Sequence, residues 1–523
     1  MGVYVNSGIE QLRVSKKNKF YVDKSMLISI LNEKKESDGR FICVSRPRRF
    51  GKTMAANMIA AYYSKDCDSH EIFSDLKISK DPSFEENINK YTVIKLDING
   101  VATKKGNMTI VQYCNKLVVP ELIEAYPDLG LSEDDSIPEL LISINKATED
   151  KFVFIIDEYD LPIRDVKYLK ELEDYIDFLV ALFKSDDTNN SIALAYLTGI
   201  MPIIRDKVQS KLNNFTEYTM INAAEMAPFM GFTEDEVKGL ALRVGMDFED
   251  LKCWYDGYNL HGLEIYSPKS VITAVTNKDC DDYWSYTGIF TSLRDLILKD
   301  YAGTRRDVIQ MISGGRVSID PMKYNNSMTD IRSRDDVFTC LVHLGYLGFD
   351  KTRKECFIPN YEIKREWIRS IEDMPQYEES SEIVKNSDFL INAIWEGDEE
   401  AVAEGVKRAH MDISSNLTYN RENEFRCAVR YALCTADKYY TVVNEFPAGK
   451  GFADIVFIPH ENNVPLIVVE LKRDTKIEKA LEQIKDREYP ESLRQYRGNT
   501  ILLGLSYSTD TKEHFCKIER LDY

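Results

Sequence analysis

The chain has 523 residues, 44% of them hydrophobic and 29% charged, which excludes a disordered or low-complexity protein and exceeds what one hydrophobic core usually holds. Its 67 basic against 86 acidic residues leave a net charge of −19, so it is not a protein that grips nucleic acid through its overall charge. Ten scattered cysteines without a C-x-x-C pair argue for reduced thiols in a cytoplasm and against a zinc site. No run approaches a membrane span and no apolar segment follows a basic start, so a cytoplasmic protein without a membrane partner is expected.

The first informative segment is Phe41-Ile-Cys-Val44, a short apolar strand. It runs into Ser45-Arg-Pro-Arg-Arg-Phe-Gly51-Lys52-Thr53 and then a helix rich in Ala and Met, Met54 to Tyr63. Strand, loop ending Gly-Lys-Thr and helix make a P-loop, whose backbone N–H groups and helix N-terminus cradle phosphates. Arg49, Phe50 and Gly51 would wrap the phosphates, Lys52 would reach the β and γ oxygens, and the Thr53 hydroxyl would hold Mg²⁺. Arg46 stands where the strict pattern asks for glycine. Tyr91 to Asp97 reads as a second strand. Lys151-Phe-Val-Phe-Ile-Ile-Asp157-Glu158 is a buried strand ending in two acids, a Walker B arrangement. There Asp157 would bind Mg²⁺ through water and Glu158 would polarise the attacking water; a core strand meeting an acidic helix cap is the plainer reading. Ser191 to Gly199 reads as a fourth strand, with Thr198 placed to sense a γ-phosphate. Strands alternating with helices predict a parallel sheet, and the strand between the two Walker motifs suggests the additional-strand class of P-loop ATPases.

The middle of the chain turns helical. Asp336 to Gly348 reads as a helix and turn, Lys354 to Pro359 as a strand, and Tyr361 to Ile368 as a helix, a pattern similar to a winged helix or a small lid. Asp373 to Ser381 is the linker candidate, and a helical segment from Asp388 to His410 follows.

Near the C-terminus, Gly451-Phe-Ala-Asp454-Ile-Val-Phe-Ile and Leu466-Ile-Val-Val-Glu470-Leu-Lys472 flank a short polar turn and predict a β-hairpin. Residues two apart share a strand face, so Glu470 and Lys472 emerge together and Asp454 can converge on them. Two carboxylates at the end of a buried hairpin make sense around a divalent cation, with Lys472 acting on the attacking hydroxide or the developing phosphorane. Arg421 to Leu433 has helical apolar spacing and carries Glu424 and, second, Glu422 as further acids. Ala480 to Tyr489 predicts a following helix in which Gln483 supports the site. Residues 441–523 hold 12 basic and 14 acidic residues, and Arg473, Lys476, Lys479, Lys485, Arg487, Arg494 and Arg497 line either a groove or a solvated face.

These C-terminal elements resemble the PD-(D/E)XK nuclease superfamily, with Asp454 as first acid and Glu470-Leu-Lys472 as the E-x-K element; Phe452 stands where relatives often have a basic residue. Taken with Tyr21-Val-Asp-Lys24, the Ser45 to Thr53 loop, Leu212 to Phe215, Gly231 to Val237, Trp254-Tyr-Asp-Gly-Tyr258 and Tyr266-Ser-Pro268, nearly the whole chain is similar to bacterial AAA-ATPase-like proteins with a C-terminal nuclease domain. The resemblance implies an α/β fold with an ATPase domain at 1–230, a helical lid and winged-helix-like region at 231–372, and a nuclease-like domain at 382–523. It implies ATP and Mg²⁺ as cofactors, and nucleic acid, DNA before RNA, as partner. The settings it suggests are defence or mobile-element biology. A homo-oligomer is allowed, with Arg205, Arg305 and Arg306 as arginine-finger candidates. The alternative is a nucleotide-switched scaffold whose nuclease domain is inactive.

Overall fold

Strands built from unbroken apolar runs have to be covered on both faces, and four such runs form the first sheet. They are β1 (Phe41–Ser45), β2 (Thr92–Asp97), β3 (Phe152–Asp157) and β4 (Ile192–Gly199), buried at nearly every position. With β5 (Thr216–Tyr218) they lie in the order β2-β3-β4-β1-β5, and every pairing is parallel. β4 therefore stands between the strand entering the Gly-Lys-Thr loop and the strand ending in Asp157. One apolar cluster fills each face, one around Phe154, Phe183 and Leu197 and the other around Ile42, Ile59 and Tyr196.

The computed structural model describes residues 2–203, 212–284, 297, 301–324, 331–372, 378–413, 422–448, 451–461, 463–475, 477–485 and 499–521. Contacts divide the chain into two units, Met1–Ser285 with Ser318–Asn360, and Tyr286–Val317 with Tyr361–Tyr523. The segment 231–372, expected to stand apart, is thus shared between the two. In the first unit the reason is visible at the phosphate loop. Phe50 packs edge-on against Tyr258 at 5.5 Å, and its carbonyl accepts the Gly231 N–H at 3.0 Å. Lys24 joins the same corner: its ammonium reaches the Pro228 carbonyl at 2.6 Å and the Glu236 carboxylate at 2.5 Å. Motifs distant in sequence are one packed structure behind the loop.

The helix-and-hairpin pattern of the middle region is present. A helix, Arg334–Leu344, ends on Gly345 and leads into the antiparallel strands Gly348–Asp350 and Glu355–Phe357. Of the linker candidate, 373–377 lie outside the described residues, and Glu378 opens a helix that runs to Glu396.

The second unit holds a five-stranded mixed sheet. Its strands are β6 (Tyr440–Ala448), β7 (Gly451–Pro459), β8 (Leu466–Arg473), β9 (Thr500–Tyr507) and β10 (His514–Leu521), in sequence order. Only β8 and β9 pair in parallel. Helices α1 (Glu422–Ala432) and α2 (Glu478–Lys485) belong to the same unit. On one face Val456, Val468, Leu502 and Leu481 pack together. Gly504 continues that face, and a Cβ there would come within 3.3 Å of the Ala480 methyl, so α2 lies close on the sheet.

Gly257 fixes the first unit's corner, because its φ is +101° and a Cβ would lie 2.0 Å from the Pro359 carbonyl oxygen. Gly257→Ala is expected to lower stability by about 3 kcal/mol or more, through strain plus the backbone clash. Gly262→Ala, at φ +83° with open space around it, should lose only about 1 kcal/mol. Urea denaturation of both variants, followed by circular dichroism, checks the contrast.

Candidate functional sites

At the end of β1 the chain leaves the sheet, and Arg46 N–H is tied to the Gly199 carbonyl of β4 at 3.0 Å. Gly51 turns the loop into the helix Lys52–Tyr63 at φ +89°, a left-handed conformation that a side chain would strain. The Lys52 ammonium is folded back into the loop, donating to the carbonyls of Arg46 at 2.9 Å and Pro47 at 2.8 Å. Burial lowers its pKa to about 8, although Glu158, Asp157 and Asp160 pull the other way. Thr53 faces outward on the first turn. Arg46, in the place of the first loop glycine, is fully buried, and one Nη donates to the carbonyls of Ser45 and Tyr218. Its side chain therefore runs back between β1 and β5, and the bulk that breaks the strict pattern is stored in the core.

Asp157 ends β3 and is buried; its carboxylate accepts the Thr198 hydroxyl from the neighbouring strand and the Glu158 N–H at 3.1 Å. Thr198 is thus aimed at the Walker B aspartate. Glu158 sits at φ +55°, and its carboxylate is held by Arg164 at 2.6 Å. Burial raises its pKa; Asp160 and Asp157 add to the rise while Arg164 and Lys52 oppose it. The loop, Lys52, Asp157, Glu158 and Thr198 are therefore drawn together at the C-terminal ends of β1, β3 and β4, where an open parallel sheet binds ligands.

Two residues here went unread in the sequence. Asp160 is buried and accepts the N–H groups of Ile200 and Met201 at 3.1 and 2.9 Å, which fixes the chain leaving β4. Gly199 is required beside it, since a Cβ would lie 2.6 Å from Asp160 Oδ1. Arg164, one turn further on, pairs with Glu158 and is the second. The third acid of Asp157-Glu-Tyr-Asp160 was the available signal.

In the second unit β7 and β8 pair through Ile455 with Val469 and Val456 with Val468, and the next step of that register sets Asp454 opposite Glu470. Asp454 Oδ2 accepts the Leu471 N–H at 2.7 Å, and Lys472 donates to Glu470 Oε1 at 2.8 Å. Glu470 is almost wholly buried, whereas Asp454 and Lys472 are about one-fifth exposed (19% and 22%). The three expected residues meet at the end of the apolar stripe formed by Val456, Val468 and Leu502. Arg426 of α1, unread in the sequence, reaches them too, with Nη1 2.7 Å from Glu445 and Nη2 3.8 Å from Asp454 Oδ1.

Glu422 and Glu424 lie on α1 and Gln483 on α2, but their side chains lie outside the described residues, as do Arg205 and the side chain of Arg305. Arg306 lies on the helix Thr304–Ile312, in the second unit. Of the basic run, Arg473 and Lys479 are exposed. Lys476, Arg487, Arg494, Arg497 and the side chain of Lys485 are outside the described residues. None of the ten cysteines is in a disulfide, and among the described residues no helix is long and apolar enough to cross a membrane.

No group of three or more His, Cys, Asp or Glu poised for a metal occurs among the described residues. Two carboxylates on adjacent strands nevertheless fit Mg²⁺, which keeps several waters and takes one or two acids plus substrate oxygens.

Comparison with known proteins finds two families in the chain. Residues 7–209 match the family model of a predicted AAA-ATPase, and residues 420–515 match that of the PD-(D/E)XK nuclease superfamily. The chain carries an AAA-ATPase-like domain followed by a nuclease-superfamily domain. An uncharacterized protein in the vnfD 5′ region of Azotobacter chroococcum mcd 1 is 22% identical over 513 residues, 94% of either chain. The solved structure of the Aeropyrum pernix ORC2 protein in its ADPNP–ADP complexes aligns over 68% of this chain and 98% of its own, at 11% identity and a TM-score of 0.32.

Lys52 changes charge near neutral pH, which gives the expected ATP binding a pH signature. The folded chain releases this proton near pH 8 while the unfolded chain holds it to 10.5, so folding stability from this group rises across that window as pH increases. A phosphate needs the charged form, so ATP affinity should fall as pH passes 8, about tenfold between pH 7 and 9. Calorimetric titration across that range measures it, and a flat profile contradicts it.

Proposed function

We propose that the chain binds and hydrolyses ATP in its first unit and cleaves nucleic acid, DNA before RNA, at a metal-dependent site in its second. The observation that carries the nuclease reading is the register of β7 and β8, which converges Asp454, Glu470 and Lys472 inside the segment that matches the nuclease superfamily. In functional terms we assign ATP chemistry to 1–230, a lid and winged-helix-like region to 231–372, and cleavage to 382–523.

In the ATP site Lys52 would leave the loop carbonyls for the β and γ oxygens, and Thr53 and Asp157 would hold the Mg²⁺ that accompanies the nucleotide. Glu158 orients the attacking water once Arg164 releases it, and Thr198 relays the state of the γ-phosphate to Asp157. In the nuclease site Asp454 and Glu470 would hold the divalent ion, which when bound supplies a Lewis acid and an acidified water. Leu471 N–H fixes Asp454 in orientation. Lys472 stabilises charge on the phosphorane by moving from Glu470 toward the developing anion.

Lys52→Ala should abolish ATP binding in calorimetry, and Glu158→Gln should bind ATP yet hydrolyse it about 100-fold more slowly. Asp454→Ala and Glu470→Ala should each lose Mn²⁺ binding and cleavage of plasmid and single-stranded substrates. Lys472→Ala should keep the metal and lose about 100-fold or more in rate. ATP hydrolysis should survive all three. A wild-type protein that cuts nothing with or without ATP would favour the nucleotide-switched scaffold.

A further inference from the structure

A phosphodiester that approaches Asp454 and Glu470 meets two carboxylates, and needs fixed positive charge to settle there. Lys472 is already engaged with Glu470 at 2.8 Å. The strand position two before Asp454, where a basic residue would serve, holds Phe452, which is mostly exposed. The positive charge comes from another element. Arg426, on α1, places its guanidinium between Glu445 and Asp454, 2.7 Å from the first and 3.8 Å from the second.

Three features separate this arginine from a surface ion pair. Its side chain is only 19% exposed, while the Glu445 carboxylate that anchors it is 65% exposed, so the charge is fixed at the edge of the site and not at the periphery. Its Nε is buried without a hydrogen-bond partner among the described residues, and Nη2 at 3.8 Å lies beyond hydrogen-bonding distance of Asp454. A guanidinium has five N–H donors in a planar fork, and this one spends few of them on the protein. The anchor is also strained. Glu445 has φ +52°, and the β6–β7 ladder, regular at Asn444–Ile455 and Phe446–Ala453, omits the step between them, where Glu445 faces Asp454. A glutamate in left-handed backbone costs about 1 kcal/mol or more, and such strain gathers at functional sites.

Building on the nuclease reading, we infer that Arg426, braced by Glu445, is the phosphate-binding residue of this site. Nη2 receives a backbone phosphate oxygen of the substrate, while Nη1 stays on Glu445 and Nε stays buried. Asp454, relieved of the arginine, is then left to the metal.

The test uses the full chain and a duplex oligonucleotide in Ca²⁺, with binding read by fluorescence anisotropy between about 50 and 200 mM salt. Arg426→Ala should weaken binding and reduce the slope of log affinity against log salt by about 0.9, the signature of one lost phosphate contact. Arg426→Lys should keep the slope. Mn²⁺ binding, followed by calorimetry, should be retained in Arg426→Ala, because a nearby positive charge has been removed. Arg426→Gln keeps the stem and a donor to Glu445 and replaces the alanine variant if that one fails to fold. An unchanged salt slope in a folded, charge-removing variant overturns the inference alone. Wild-type protein that binds neither Mn²⁺ nor duplex overturns the nuclease reading, and this inference with it.

Discussion

A buried ammonium organises the first unit. Even with two loop carbonyls and the acids around Glu158 offsetting part of it, burying the Lys52 charge costs roughly 3 kcal/mol, judged from a pKa brought from 10.5 to about 8. Each of those partners demands a particular backbone. The carbonyls require the loop to curl over the lysine, which requires Gly51 at φ +89°. The acids require β3 to end beside β1 with β4 between them, which the order β2-β3-β4-β1-β5 provides. The loop is also backed by Phe50 against Tyr258, in line with residues 231–285 belonging to the same unit. On the proposed function, a γ-phosphate would replace two weak carbonyl partners with full negative charge.

The second unit solves a similar problem by register. A shift of one residue between β7 and β8 would turn Asp454 and Glu470 to opposite faces and move Val456 and Val468 out of the core. The same apolar pairs that stabilise the sheet therefore hold the carboxylates together. Gly504 lets α2 settle closely over that stripe, while the stripe itself ends where the acids begin.

Much of this was legible in the chain. The apolar runs at 41–45, 92–97, 152–157 and 192–199 became strands within a residue of where their composition placed them, because buried parallel strands leave little choice of boundary. The E-x-K spacing survives for a geometric reason, strand period two. What escaped was long-range. Asp160 acts on backbone 40 residues away, as the 3.1 Å contact to Ile200 shows. Arg426 acts through Glu445, whose strand carries Pro447 and an irregular step that spoil the alternation a sequence reader needs. Arg46 looked like a defect in the loop motif and is instead a core residue, since nothing in local spacing says that its side chain turns inward.

Both sites share one economy of charge. At the first candidate site Glu158 is matched by Arg164, and at the second Glu470 by Lys472 and Asp454 by Arg426. Carboxylates gathered without cations would repel one another and resist folding, so internal bases stand beside them before any metal or phosphate arrives. On the proposed function, those bases stand beside the carboxylates where a phosphate would gain negative charge. Each can move from a carboxylate to the ligand over a short distance, without the chain having to import a new charge. On that reading the pairing that lets the carboxylates be buried together is the pairing that an anionic ligand would exchange for its own, which would tie the stability of each site to its chemistry.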